Sequence, residues 1–86
     1  MYEVRKRDGQ IVPLDIQKIG TAIRKAFDAR NRQYTDDIID LLVLRVTADY
    51  EPKIEKGVVD VEAIQDSVEA VLQSAGYTDV AKSYIL

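Results

Sequence analysis

Lys18 stands three residues after Asp15, and Asp15 is placed to cap a helix whose first apolar positions are Ile16 and Ile19. An N-cap aspartate accepts from first-turn amides, and a capping box would put Glu or Gln where Lys18 stands. Lysine there sets a cation against the positive end of the helix dipole, at a cost of roughly 0.3–1 kcal/mol on an exposed surface. A bound anion reverses that sign, because first-turn N–H groups and an ammonium together hold phosphate. Lys6 and Arg7, at the turn end of the segment leading into that helix, are placed to converge on the same anion. The competing reading is that Lys18 points to water and pairs with Asp15 or Asp8. Gly20 falls mid-helix and costs about 1 kcal/mol relative to alanine, which implies close approach of another helix or of a ligand. Farther along, Gln65 is suited to a base edge or to water, and Val61 to a pocket wall or to the core.

Other chemistries are poorly served. The 86 residues include no Cys and no His, so thiolate catalysis, Cys/His zinc sites and His-based triads are excluded. Ser67, Ser74 and Ser83 therefore lack a base to activate them. Asp36, Asp37 and Asp40 are better read as acids near a helix start than as a metal site. Gly9, Gly20, Gly57 and Gly76 fit neither glycine-rich phosphate motif. Catalytic and metal-ligating residues are thus expected to be none.

The anion reading gains from the charge distribution. The net charge is −3, but residues 1–32 carry +4 and residues 33–86 carry −7. This asymmetry favours a cationic site in the first third over general nucleic-acid binding, which an acidic protein opposes at long range. Hydrophobic residues at 47% and charged residues at 31% describe one soluble globular domain. No stretch is apolar enough to span a bilayer, and charged residues occupy the place of a leader.

The elements that must position these residues follow from pattern. Tyr2–Arg7 and Gln10–Leu14 flank Asp8-Gly9, which predicts a hairpin with a two-residue type I′ turn. Ile16, Ile19, Ile23, Ala26 and Phe27 predict a helix running to about Ala29. Thr35 caps a second helix, with Ile38, Leu41, Leu42, Arg45 and Val46 on its face and its end near Tyr50. Val58-Val59 predicts a third strand beside the hairpin. Asp60 caps a third helix with a stripe of Val61, Ile64, Val68, Val71/Leu72 and Ala75, closed by Gly76. Thr78 or Asp79 starts a fourth helix through Val80, Ala81, Tyr84 and Ile85, still running at Leu86. The expected class is α+β, with helices packed under a small sheet. The helix running out at residue 86 suggests the N-terminal piece of a longer protein.

Val4-Arg5-Lys6-Arg7-Asp8-Gly9, then Pro13-Leu14-Asp15 and Lys18-Ile19, strongly resembles the ATP-cone family pattern V-x-K-R-D-G, P-[FL]-D and K-I. Ala22-Ile23-Arg24-Lys25-Ala26 matches the Ala-rich helical residues that follow. Val61-Glu62-Ala63-Ile64-Gln65-Asp66-Ser67-Val68-Glu69 and Ala81-Lys82-Ser83-Tyr84-Ile85 resemble two further blocks, so the resemblance covers essentially the whole chain. It implies a four-helix bundle capped by a small three-stranded mixed β-sheet. It also implies an allosteric, non-catalytic domain that senses ATP or dATP, with Mg²⁺, for a ribonucleotide reductase. The short leader before the first block is most like the anaerobic glycyl-radical class. Carried over by position, Lys6 and Arg7 hold phosphates, and Lys18 with first-turn amides completes the cradle. Val4, Val12, Asp15 and Ile19 line the pocket, and Val61 and Gln65 meet the base or ribose. Some members carry Glu where Val12 stands, and the basic residues that often follow the last block are missing.

The implied partners are an adenine nucleotide, the parent's catalytic domain and further copies of the domain, in a cytoplasmic setting without membrane or nucleic acid. Alternatives are the ATP-cone of the reductase gene repressor, which the missing cysteines disfavour, and a nucleotide-independent oligomerisation module.

Overall fold

The computed structural model describes the backbone of residues 1–85 and the side chains of residues 1–84. The expected continuation of the helix at Leu86, and any packing by the Ile85 side chain, lie outside the described residues. Strands β1 (Glu3–Arg5) and β2 (Ile11–Pro13) precede helices α1 (Ile16–Ala29) and α2 (Asp36–Tyr50). A short 3₁₀ turn (Glu51–Lys53) leads to β3 (Val58–Asp60), then α3 (Val61–Ser74) and α4 (Thr78–Ile85). The result is the expected α+β arrangement: four helices capped by a three-stranded mixed sheet of order β2-β1-β3. The central strand β1 runs antiparallel to β2, with Val4 opposite Val12, and parallel to β3, with Val4 opposite Val59. Alternation turns Val4 and Val59 inward, onto a core of Ile23, Phe27, Leu42, Val46, Tyr50, Val68, Leu72 and Val80.

Local signals set most helix ends. The Asp15 carboxylate accepts from the Gln17 N–H, and the Thr35 hydroxyl from the Ile38 N–H. Helix α3 closes in a Schellman motif: Gly76 is left-handed (φ +91°), and Tyr77 N–H donates to the Leu72 carbonyl at 2.8 Å. Asn31 (φ 53°) does the same for α1, with Arg32 N–H donating to the Phe27 carbonyl.

Three expectations are corrected. The first concerns the hairpin, whose link is not a two-residue type I′ turn. The Lys6 carbonyl accepts from Gly9 at 2.9 Å and Lys6 N–H donates to Gln10 at 2.8 Å, so Arg7-Asp8-Gly9 form a three-residue loop. Only Gly9 is left-handed, and the Asp8 carboxylate takes the Gln10 N–H instead. The tight two-residue turn lies at Lys56-Gly57, both at positive φ, between the paired Glu55 and Val58.

The second correction is the inward face of α2, which is Ile39, Leu42, Val46 and Tyr50; Leu41 and Arg45 are exposed and Ile38 is half-buried. The third is Asp60, which occupies the N-cap of α3 without capping through its side chain. Its carboxylate accepts from Arg5 on the neighbouring strand at 2.8 Å. Along α3, Val61 and Ala75 are only half-buried, and Ser67 joins the buried stripe.

Gly20 faces α2, but a Cβ there would meet Val43 and Ile39 methyls at 3.5 and 3.8 Å, which is ordinary contact. The helix approach therefore does not demand glycine. Gly20→Ala is expected to raise stability by up to about 1 kcal/mol, read as a higher urea midpoint with an unchanged slope.

Candidate functional site

A cleft of about 320 Å³ opens where the hairpin, α1, α3 and α4 meet, at the small end of the range that holds organic ligands. Val4, Lys6, Val12, Pro13 and Leu14 form its strand wall. Asp15, Lys18, Ile19 and Ala22 come from the N-terminal half of α1. Val61, Ile64 and Gln65 come from the start of α3, and Tyr84 from α4. Eight of the nine residues singled out in the sequence thus share one cavity: Val4, Lys6, Val12, Asp15, Lys18, Ile19, Val61 and Gln65. These segments are distant along the chain. The β1–β3 pairing joins them, because β3 runs directly into α3 and carries Val61 and Gln65 to the hairpin.

Arg7, the ninth, lies outside this wall. It lines a shallower depression with Lys6, Asp8, Val61 and Gln65, continuous with the cleft through their shared residues. From the first loop position its guanidinium reaches α3, donating through Nη2 to Gln65 Oε1. Its Nε lies 3.5 Å from Glu62 Oε1. With the Gln65 carbonyl engaged, the amide nitrogen remains a donor on a side chain that lines the cleft.

The lysines differ. Among the described residues neither Lys6 nor Lys18 is in an ion pair. Pairing of Lys18 with Asp15 or Asp8 is not found among the described residues; one oxygen of each carboxylate accepts instead from the Gln17 or Gln10 backbone. The cradle expected from first-turn amides is narrower than the sequence suggests. Gln17 N–H is taken by Asp15 Oδ1, and Lys18 N–H donates to the Asp15 carbonyl at 3.1 Å. An anion there would depend chiefly on the two ammonium groups.

Sequence reasoning singled out no role in this cavity for Pro13, Leu14, Ala22, Ile64 or Tyr84. The closing Ala81-Lys82-Ser83-Tyr84-Ile85 block was the available signal for Tyr84. Burial pushes the Tyr84 phenol upward from its ordinary pKa. A larger groove, about 400 Å³, lies between α1 and α2. Its one cation is Arg24, held to Asp36 at 2.7 Å, and it also presents Asp40. It is poorly made for an anion.

The geometry defines a small α+β module with a partly apolar cleft, bracketed by open lysines beneath a short mixed sheet. The chain belongs to the ATP cone domain family, whose model matches residues 2–86. It is 42% identical over 84 residues to a vitamin B12-dependent ribonucleoside-diphosphate reductase of Mycobacterium tuberculosis, covering 98% of this chain and 11% of that protein. The same-named protein of Thermoplasma acidophilum is 40% identical over 92 residues, covering 98% and 11%. A ribonucleoside-diphosphate reductase subunit alpha of Chlamydia pneumoniae is 38% identical over 87 residues, covering 94% and 8%. The chain thus spans about a tenth of the length of these relatives.

Proposed function

We propose that the cleft binds an adenine nucleotide and that the domain reports its occupancy to a ribonucleotide reductase of which it forms a part. The observation that carries this reading is the pair of open cations, Lys6 and Lys18, on a largely apolar cavity. Lys6 and Lys18 hold the phosphates as charge-assisted donors. Val4, Val12, Ile19 and Val61 enclose the base or ribose, and the Gln65 amide donates to a ring nitrogen. Among the described residues Asp15 is the one carboxylate lining the cleft, and its second oxygen is available to a ribose hydroxyl or to hydrated Mg²⁺ carried by the phosphates. The module is regulatory and performs no chemistry on its ligand.

ATP and dATP differ by one hydroxyl, so discrimination requires a polar group that dATP leaves unpaired. Regulation requires each nucleotide to favour a different state of the parent, in its contacts with the catalytic part or with further copies. The relatives support a vitamin B12-dependent reductase or an alpha subunit as the parent and lend nothing specific to the anaerobic class. No described helix is long and apolar enough to cross a membrane. A cytoplasmic site of action fits the proposed parent.

Calorimetric titration with ATP, dATP and GTP, with and without Mg²⁺, tests this reading. Saturable binding that prefers adenine over guanine is the expected outcome. Absence of binding to every nucleotide would leave the oligomerisation reading in its place. Binding indifferent to the base but steeply salt-dependent would instead indicate a general polyanion surface.

A further inference from the structure

We propose that Glu62 is a specificity-determining residue of the nucleotide cleft, holding Arg7 on α3 until a polyphosphate long enough to reach it takes its place. This rests on the nucleotide reading above and extends it to a residue outside the cleft wall. The three cations near the site are not equivalent. Lys6 and Lys18 have no anionic partner among the described residues, whereas Arg7 is engaged twice, by Gln65 and by Glu62. Glu62 and Gln65 are three positions apart and face the hairpin loop from the first turns of α3.

The Arg7–Glu62 pair is solvated, with 66% and 71% of the side chains exposed, and its atoms are 3.5 Å apart. Such a pair is weak and replaceable. A phosphate offers the guanidinium a bidentate, doubly charged partner and displaces Glu62. A ligand whose phosphate reaches only Lys6 and Lys18 leaves Arg7 where it is. One with a longer chain must exchange Glu62 for phosphate. That exchange also frees the Gln65 carbonyl, so phosphate number and base contact become linked through Arg7. Glu62 thereby lowers affinity for long polyphosphates and leaves short ones unaffected.

The test is Glu62→Gln, compared with the original for ATP and AMP by calorimetry at low salt, with and without Arg7→Gln. ATP is expected to bind about two- to five-fold more tightly to Glu62→Gln, the span of an exposed ion pair, with AMP changed less than about twofold. In the Arg7→Gln background the gain is expected to vanish. A gain shared equally by AMP, or one that persists without the Arg7 charge, would overturn the proposal and leave Glu62 a diffuse repulsive charge. Unchanged or weaker ATP binding would overturn it as well. Failure of the original protein to bind either nucleotide would instead remove the nucleotide reading itself, and this inference with it. Circular dichroism of each variant confirms that the fold is retained at these exposed positions.

Discussion

Lys18→Ala is expected to weaken ATP binding by about ten- to a hundred-fold while leaving the fold as stable or more stable. The two effects have different origins. Hydrogen bonds to a charged group contribute about 1.5–3 kcal/mol each, which sets the loss in affinity. In the structure Lys18 has no anionic partner among the described residues and sits at the third position of α1, against the positive end of the dipole. Its removal relieves roughly 0.3–1 kcal/mol of unfavourable interaction, and alanine has the higher helix propensity. Calorimetry reads the first effect and urea unfolding the second. Unchanged affinity would move the phosphates away from the α1 N-terminus. Lost affinity with lost stability would mean that Lys18 acts through the fold.

Phe27→Ala is expected to destabilise the domain by about 3–5 kcal/mol. Phe27 is fully buried, and its ring meets Tyr34 and Tyr77 edge-on at 5.5 and 5.0 Å. Tyr34 belongs to the α1–α2 connection and Tyr77 to the α3–α4 connection, so one ring fastens two loops to the bundle. Aromatic pairs of this geometry contribute about 0.5–1.5 kcal/mol beyond burial. A domain of this size has only about 5–15 kcal/mol in total. Urea unfolding should show a much lower midpoint with the slope retained. A midpoint within experimental scatter of the original would show that the bundle repacks around the missing ring.

Helix positions and most caps could be read from the sequence because their causes are local. Asp15, Thr35 and Gly76 act within a turn of where they stand. The inward face of α2 could not be read so directly. Ile38-Ile39 and Leu41-Leu42-Val43-Leu44 supply apolar residues on nearly every side, so two stripes offset by one position compete. Packing against α1 and α3 decides for Ile39, Leu42 and Val46. The role of Asp60 is hidden from the sequence for a different reason: the Arg5 that claims its carboxylate is 55 positions away. At the hairpin, Asp8-Gly9 suits both loop lengths, and backbone pairing at Lys6 settles the longer one. The cleft residues were found mainly through family-like spacing. Physical reasoning alone reached Lys18, Lys6 and Arg7, offered Val61 and Gln65 a place at a pocket beside their ordinary readings, and could not anticipate that Arg7 turns away toward α3.

The parallel pairing of β1 with β3 bears on how the molecule acquires its cleft. The β1–β2 hairpin closes over a three-residue loop, but Val4 meets Val59 only after the intervening chain, with α1 and α2, has been gathered in. Closing so long a loop is entropically slow, and the three pairs of residues across that ladder recover little of the cost by themselves. The rate-limiting ensemble would then contain packed helices with the parallel ladder still open. Since α3 is carried to the hairpin by that ladder, both walls of the cavity come together on the native side of the barrier. A bound ligand that bridges them would slow unfolding and leave the refolding rate nearly unchanged.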